Sequence, residues 1–279
     1  MILFPWLIAK KVVPLQNKNI TDMLFENTII GPIHSRRLGN SLGINLLPLK
    51  RKFCTYDCIY CECGWNEETI KNAVELPTYE DVRVQLEKRV AELKAEGVEV
   101  DSFTFAGNGE PTLHPDFVRV VDLVLKIRNE HYPNAVITLL TNATQLSRPE
   151  IYDALMKLDN PVLKLDAGME DMRNSINKPT AEKYSFDELV NNLIRFGNKG
   201  IIQTLLLRGT NDGKTISNVS KEDFGEYIEL LKKIRPKYVM LYAIDRATPE
   251  KDLEKLTVDE LEFYAQRIRN EAIAVKVYG

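Results

Sequence analysis

Residues Ala135–Asp166, AVITLLTNATQLSRPEIYDALMKLDNPVLKLD, contain the repeating unit that decides the fold. Ala135–Leu140 is a short run of β-branched and apolar residues and predicts a strand, and Val162–Asp166 predicts another. Arg148–Lys157, between them, predicts a helix. Because the two strands are almost continuously apolar, they are typical of parallel strands whose two faces are both covered. The stretch therefore predicts a β–α–β unit.

The same alternation continues on both sides of this unit. Thr78–Ala95, for example, begins with a Thr N-cap and acidic residues and carries apolar residues at helical spacing. The pattern predicts an α/β domain of six β–α units, wound either as an open doubly wound sheet or as a full or partial barrel. The other predicted strands are Ser41–Leu47, Ser102–Ala106, Ile201–Leu207 and Tyr238–Ala243, and the other predicted helices are Thr78–Ala95, Pro115–Asn129, Phe186–Asn198, Lys221–Ile234 and Val258–Asn270.

Length, composition and charge exclude several classes of protein. The 279 residues are 44% hydrophobic and 28% charged, which is unlike a disordered, collagenous or low-complexity chain. The net charge of −3 differs from the strongly basic balance of a general polyanion binder. No linker rich in Pro, Gly or Ser divides the sequence, so we expect one core domain over residues 23–279.

The N-terminal residues 1–22 are expected to be an appendage to that domain. Met1–Ala9, MILFPWLIA, is apolar, but it has no preceding basic residue and no small-residue cleavage site after it. A signal peptide is therefore not predicted. The stretch is also shorter than the ~20 residues of a membrane-spanning helix. We expect a cytoplasmic protein with no membrane partner.

The four cysteines lie within ten residues, at positions 54, 58, 61 and 63. Two disulfides in so short a stretch would close small, strained rings, so a reduced metal site is the better interpretation. The C-x3-C-x2-C spacing of the first three thiols can wrap three corners of an iron–sulfur cubane. Zinc is the alternative, although the second ligand pair that structural zinc sites usually have is missing.

Polar residues follow all six predicted strands. Chemistry in α/β sheets and barrels takes place at the carboxyl ends of the strands, so these residues are expected to share one rim. Glycine in such a turn lets the backbone approach a ligand closely, and a carboxylate pairs with an ammonium group. In strand order, the segments are the cysteine loop, Gly107-Asn108-Gly109-Glu110, Thr141-Asn142, Asp166, Arg208 and Asp245-Arg246.

The cysteine spacing, with Tyr60 before the third cysteine, resembles the signature of the radical S-adenosylmethionine (SAM) superfamily. The resemblance extends over residues 29–256 and includes the sequences GPIHSRRLGNSLG, FAGNGEPTLHP, KLDAG and YAIDRATPE. These resemble a subgroup of iron–sulfur oxidoreductases related to the wyosine-synthesis enzymes. The resemblance implies a partial (β/α)6 TIM-like barrel, which agrees with the six units.

The resemblance also implies two cofactors, a [4Fe-4S] cluster and SAM, and a reaction. The reduced cluster would cleave SAM to a 5′-deoxyadenosyl radical, which would abstract hydrogen from a substrate. Cys54, Cys58 and Cys61 would be the cluster ligands, and Gly109 with Glu110 would bind the methionyl amino group, although Asn108 interrupts the Gly-Gly-Glu run that is common in the family. The full set of implied SAM contacts is Tyr60, Gly109, Glu110, Asn142, Lys164, Asp166, Gln203, Arg208 and Tyr242.

The substrate and the partners are defined less sharply. Arg36, Arg37 and Arg246 resemble subgroup positions and are candidate substrate contacts; the basic segment that includes the first two is otherwise a solvated face. After three cysteines bind a cluster only Cys63 remains, which cannot hold a second cluster, so enzyme classes that need one are disfavoured. No flavodoxin domain is predicted in the sequence, so an external flavodoxin- or ferredoxin-like donor is expected. The substrate is expected to be a tRNA base or a small molecule. The alternatives are a non-catalytic zinc or iron–sulfur module and a purely structural Lys164–Asp166 pair.

Overall fold

The computed structural model describes residues 24–35, 37–66 and 75–279. The predicted appendage, residues 1–22, and the candidate substrate residue Arg36 lie outside the described residues. Within the described ranges, no helix is both long enough and apolar enough to cross a membrane.

Eleven strands form two sheets in the described part of the chain, a main sheet of eight strands and a side sheet of three. In chain order, the strands are β1 (Ile29–Ser35), β2 (Gly39–Ile44), β3 (Ser102–Phe105), β4 (Val136–Thr141), β5 (Asn160–Lys164), β6 (Ile201–Leu205), β7 (Leu207–Asn211), β8 (Lys214–Ser217), β9 (Tyr238–Tyr242), β10 (Leu253–Lys255) and β11 (Val275–Tyr278).

The order of strands in the main sheet distinguishes between the two predicted architectures. The order is β1-β2-β3-β4-β5-β6-β9-β11, so each parallel strand lies beside the next parallel strand along the chain. A doubly wound sheet reverses its order at a switch point, and this sheet does not. All pairs from β2 to β11 are parallel, and only β1 is antiparallel. The predicted α/β partial barrel is therefore confirmed.

Helices connect the parallel strands, and their ends follow sequence signals. The helix predicted over Thr78–Ala95 forms, with Thr78 as its N-cap and Asp81 completing a capping box; both satisfy backbone N–H groups that the first turn leaves without partners. The helices are α1 (Tyr79–Ala95), α2 (Phe117–His131), α3 (Pro149–Met156), α4 (Glu170–Asn177), α5 (Phe186–Phe196), α6 (Lys221–Ile234) and α7 (Val258–Arg269).

The side sheet, the edge strands β1 and β11, and helix α4 were not predicted. The strand predicted over Ile201–Leu207 ends at Leu205, and the chain continues through β7 into a hairpin with β8. Asp212 and Gly213 lie at the tip of this hairpin with φ of 51° and 72°. An Asp-Gly pair with positive φ at both positions matches the twist of a two-residue hairpin, so the sequence carried this signal.

Apolar side chains pack on both faces of the main sheet. Phe105 on β3 contacts Phe117 on α2 with ring centroids 5.7 Å apart, and both are fully buried in the largest cluster. On the strands β5, β6 and β9, a smaller cluster contains Val162, Ile201 and Met240. Because side chains alternate along a strand, residues two positions further on share the face of this smaller cluster. That face includes the site residues at the carboxyl ends of these strands.

Gly109 allows the cysteine-bearing segment to pair with the turn after β3. Phe53 and Gly109 form a parallel bridge, in which the Phe53 N–H donates to the Asn108 carbonyl (2.8 Å) and the Glu110 N–H donates to the Phe53 carbonyl (3.0 Å). Gly109 has φ of 139°, and a Cβ there would lie 1.9 Å from the Phe53 carbonyl oxygen. Glycine at this position is therefore required by both conformation and space.

We expect Gly109→Ala to lower the free energy of unfolding by about 2–4 kcal/mol, because it adds backbone strain and a clash with Phe53. Gly225→Ala is the matched control, since Gly225 lies in α6 with nothing near its missing Cβ. That change should stabilise the protein by about 0.5–1 kcal/mol. Urea unfolding under reducing conditions measures both; equal stability of Gly109→Ala and wild type would contradict the assignment.

Candidate active site

The predicted polar segments meet at one edge of the main sheet. Strands β2 to β5 are parallel, so their carboxyl ends lie along the same edge. The cysteine loop, defined here as residues 52–66, follows β2, and the turn that ends at Glu110 follows β3. Asn142 directly follows β4, and Asp166 comes two residues after β5. Hydrogen bonds join these segments into one site.

Asn66 holds the two ends of the cysteine loop together. Its Oδ1 accepts a hydrogen bond from the N–H of Cys54 (3.1 Å), and its Nδ2 donates to the carbonyls of Cys54 and Tyr56 (both 3.2 Å). Asp57 Oδ1 in turn accepts from the backbone N–H of Asn66 (2.7 Å) and from its Nδ2 (3.0 Å). These hydrogen bonds connect the last residue of the loop to its first part, and Cys58, Cys61 and Cys63 lie in the segment between.

Two of the candidate ligand sulfurs accept hydrogen bonds from buried amides. Asn142 Nδ2 lies 3.5 Å from Cys54 Sγ, and Asn177 Nδ2 lies 3.4 Å from Cys58 Sγ. Asn142 follows β4 and Asn177 is the last residue of α4. Hydrogen bonds therefore connect the sulfurs of Cys54 and Cys58 to polar residues at the edge of the sheet.

The thiols differ in their affinity for protons. Burial raises the pKa of Cys58 to about 11 and also raises that of Cys54. The side-chain hydrogen bond between Cys61 and Cys63 lowers the pKa of the Cys61 thiol and raises that of Cys63. Because metal ligands must be thiolates, metal binding would release the protons that burial retains on Cys54 and Cys58.

Glu110 is buried and organises the ends of β3 and β4. Its Oε1 accepts hydrogen bonds from the Thr112 N–H (3.1 Å) and from the hydroxyls of Thr112 (2.5 Å) and Thr141 (2.7 Å). Its Oε2 accepts one bond, from the Asn142 N–H (2.7 Å). Burial raises the pKa of Glu110 despite these donors. A carboxylate oxygen with one donor keeps capacity for another, so Oε2 can receive a cationic N–H.

Asp166 collects donors from three other elements. Its Oδ2 accepts from the Tyr60 hydroxyl and from Asn177 Nδ2 (2.8 Å), and its Oδ1 accepts from the Leu205 N–H (2.9 Å). The ammonium of Lys164 lies 3.5 Å from Oδ2. The carboxylate therefore connects the cysteine loop, through Tyr60, to α4 and to the end of β6.

Lys164, Gln203 and Tyr242 project from neighbouring strands toward the same space. Lys164 pairs in register with Gln203, and the Lys164 Nζ donates to the Tyr242 hydroxyl (3.1 Å). The Lys164 ammonium also lies 5.2 Å from the centre of the Tyr60 ring. Burial alone would lower the pKa of Lys164, but Asp166 and the other nearby acidic groups outweigh it and hold the pKa above its usual value.

Arg37 extends this cluster on the side away from the cysteines. Its guanidinium carbon lies 4.8 Å from the centre of the Tyr242 ring and 5.4 Å from that of Tyr278. None of the described carboxylates forms an ion pair with it. Aromatic faces attract a cation without neutralising its charge, so Arg37 can still bind an anion.

Two predicted site residues are not brought into this cluster. Arg208 lies on β7 in the side sheet, where it forms ion pairs with Glu254 (2.9 Å) and Glu260 (2.7 Å). Arg246 reaches back to the cysteine loop and pairs with Glu62 (2.7 Å), with both side chains about half exposed. Surface pairs of this kind contribute ~0–1 kcal/mol and need no ligand to account for them.

Three functional candidates were missed from the sequence. Asn177 contacts both Cys58 and Asp166, but it lies on α4, which was not predicted. Asn66 has the residue type of a loop-forming amide, a signal that was available. Lys52 was counted only as part of a basic segment, yet its side chain is 1% exposed and it donates to the Gly64 carbonyl (3.0 Å).

Within the described ranges, no three His, Cys, Asp or Glu side chains converge to hold a single metal ion. Four-coordinate zinc with Zn–S bonds of ~2.3 Å would require its sulfurs to lie close together around one point. The candidate donors in this part of the chain are the thiols of the cysteine loop, two of which accept hydrogen bonds from Asn142 and Asn177.

The sequence matches a family model described as the Radical SAM superfamily over residues 51–231. A protein named GTPase Obg from Brachyspira hyodysenteriae is 32% identical over 89% of this chain but only 34% of its own length. A UPF0026 protein from Methanocaldococcus jannaschii is 31% identical over 79% of this chain and 64% of its own length. The chain therefore spans about a third and just under two thirds of these two relatives.

Solved structures share the fold at low sequence identity. A radical SAM methyltransferase from Sphaerobacter thermophilus superposes with a TM-score of 0.63 at 18% identity, over 85% of this chain and 65% of that protein. A structure of TYW1 with a lysine-pyruvate adduct bound gives 0.56 at 19% identity, over 82% and 73%. At these identities the likeness concerns the fold alone.

We expect Asp166→Asn to be more destabilising than Lys164→Met. The first change leaves a buried ammonium without its carboxylate and should cost about 3–5 kcal/mol. The second leaves a carboxylate that still has three neutral donors. Urea unfolding of the reduced apoprotein measures both free energies. Similar losses for the two variants would show that the Lys164–Asp166 pair is not what stabilises this cluster.

Proposed function

This chain belongs to the radical SAM superfamily, and from this premise we propose that Cys54, Cys58 and Cys61 bind a [4Fe-4S] cluster for the cleavage of SAM. When bound and reduced, such a cluster would supply one electron that breaks the S–C5′ bond of SAM, giving methionine and a 5′-deoxyadenosyl radical able to abstract a hydrogen atom from a substrate. The family implies both cofactors, while the assignment of residues is our proposal.

One observation carries the proposal: the cysteine sulfurs and the polar residues at the sheet edge form a single hydrogen-bonded unit. Asn142 donates to Cys54 Sγ with its side chain and to Glu110 with its backbone, and Asn177 donates to both Cys58 Sγ and Asp166. A structural metal module has no need for buried carboxylates beside its thiolates. An enzyme that holds a zwitterionic cofactor against a cluster does.

The donor set also disfavours the zinc alternative. A structural zinc ion usually draws a second ligand pair from a separate segment, whereas all four cysteines lie within one loop. Three thiols leave one corner of a cubane without a protein ligand. The amide donors fit thiolate sulfurs, because hydrogen bonds to ligand sulfurs stabilise their negative charge.

The residues around the cysteines have complementary charges for SAM. Glu110 Oε2 has capacity for the methionyl ammonium, and the Lys164 ammonium, together with Gln203 and Tyr242, provides donors for a carboxylate or a ribose hydroxyl. Asp166 orients Lys164 and Tyr60 between these groups. We propose that these side chains hold the cofactor and exclude water from it.

We propose that the substrate is anionic. Arg37 provides a guanidinium without a carboxylate partner among the described residues, and Tyr242 places it next to Lys164. A tRNA substrate of the wyosine-related kind, whose phosphates are anionic, is our leading candidate.

Anaerobic reconstitution tests the assignment of the cluster. The wild-type protein should gain about four iron atoms and, with dithionite and SAM, release 5′-deoxyadenosine. Cys58→Ala should lose both properties, whereas Cys63→Ser should retain the iron. Glu110→Gln should keep the iron and bind SAM about tenfold more weakly, since a charged hydrogen bond is lost. Stoichiometric zinc in place of iron, or unchanged SAM affinity in Glu110→Gln, would contradict the proposal.

Binding to bulk tRNA tests the leading substrate class. If tRNA is the substrate, its affinity should fall steeply as salt rises, because phosphate contacts release counterions. Arg37→Ala should reduce both the affinity and the salt slope, and Arg267→Ala, whose guanidinium lies over the Phe224 ring, serves as a control. Fluorescence anisotropy with labelled tRNA measures this. The absence of binding at low salt would leave a small anionic molecule as the substrate class.

A further inference from the structure

Lys52 is a buried cation inside the cysteine loop. Its side chain is 1% exposed, which is rare for a lysine and requires compensating contacts. Its Nζ donates to the Gly64 carbonyl (3.0 Å) and to Asp57 Oδ1 (3.1 Å). The Gly64 N–H donates in turn to the Cys61 carbonyl (2.9 Å). The lysine is thereby fixed against the turn that carries the third cysteine.

Asp57 compensates the charge of Lys52 only in part. The Asp57 side chain is 25% exposed, so water screens its charge, and its Oδ1 is shared with two donors from Asn66. A carboxylate that is partly in water and shared among donors leaves net positive potential on the buried side of the pair.

Lys52 lies two residues before Cys54, and the Gly64 carbonyl to which it donates belongs to the turn that follows Cys61. Among the described carboxylates, only Asp57 forms an ion pair with it. Negative charge on the cysteine sulfurs, or on a cluster that they bind, would supply the rest of the compensation. Lys52 is thus placed to act on the ligand set as a whole.

Lys164, the other cation nearby, has a different position and is only partly buried. It is paired with Asp166 at 3.5 Å and donates to the Tyr242 hydroxyl. It lies at the end of β5 rather than in the cysteine loop. Of the two lysines, only Lys52 belongs to the loop that carries the cysteines.

An iron–sulfur cluster gains one negative charge when it accepts an electron, and no bond to the protein is made or broken in this step. A fixed positive charge in a low-dielectric surrounding favours the more negative, reduced state. We propose that Lys52 is a positioning residue whose charge, buried within the cysteine loop, raises the reduction potential of the cluster held by Cys54, Cys58 and Cys61. This inference rests on the proposed function and names the residue that sets the potential of its cofactor.

The test is a potentiometric titration of the reconstituted holoprotein, followed by the EPR signal of the reduced cluster. Lys52→Met removes the charge and should shift the midpoint potential to more negative values. Lys52→Arg keeps the charge and should restore it toward the wild-type value. Lys50→Met removes a lysine two residues away that is exposed to solvent, and should leave the potential unchanged because water screens that charge.

Asp57→Asn shows whether a shift in the potential comes from the change in charge or from a less ordered cysteine loop. It keeps an acceptor oxygen but removes the negative charge, so the potential should rise, opposite to the effect of Lys52→Met. Loosening alone would move both variants in the same direction. Shifts of the same sign, or no shift in a Lys52→Met protein that retains its iron, would overturn the inference.

If Lys52→Met does not retain its cluster, the Asp57→Asn and Lys52→Arg titrations decide. Asp57→Asn must raise the potential and Lys52→Arg must preserve it, and any other result overturns the inference. Failure of the proposed function is recognised separately, because the wild-type protein would then hold no four-iron cluster and give no EPR signal to titrate.

Discussion

The backbone bridge between Phe53 and Gly109 is the constraint on which the site depends. The cysteine loop is long and extends from the end of β2, so without an attachment its thiols would not have a fixed position. The bridge ties its beginning to the turn after β3, and it requires a residue at 109 that has no Cβ. The neighbouring Asn108 strengthens the same turn, since its amide bonds with the Phe25 backbone and with the Pro48 carbonyl (2.8 Å). The interruption of the common Gly-Gly-Glu run is thus a structural feature of this chain.

Once the loop is fixed, buried charge organises the rest of the site. Glu110 and Asp166 are both nearly inaccessible, and a carboxylate in that position is tolerated only when donors surround it. Each receives donors from several elements, so the same hydrogen bonds that compensate the charges also fix the strand ends relative to one another. Asn142 donates to Glu110 and to the Cys54 sulfur, and Asn177 donates to Asp166 and to the Cys58 sulfur. The network that holds the strand ends therefore also holds the thiols.

Much of this could be predicted from the sequence, because the information was local. Six of the seven parallel strands, and all the helices except α4, follow from apolar runs and caps, and the cysteine spacing identified the loop. What was missed depends on distant contacts. Arg208 was expected at the carboxyl end of a strand, but the strand ends at Leu205, and β7 takes Arg208 into a side sheet to meet Glu254 and Glu260. Asn177 could not be found by periodicity, since its helix is short and its cysteine partner, Cys58, is 119 residues away in the sequence.

Lys52 and Lys164 show why residue type alone could not predict which lysines belong to the site. Lys164 alternates with Asp166 along its strand, and this pattern predicted a site residue. Lys52 has the same side chain, but it lies in a basic segment whose composition also predicts a solvated surface. Burial distinguishes Lys52 from its exposed neighbour Lys50, and only the folded loop determines which of the two is buried. A cation enclosed with thiols costs free energy unless the thiols carry negative charge. The loop is therefore electrostatically incomplete as a set of neutral thiols, and its charges balance best when the cysteines are thiolates, the state in which they can bind iron.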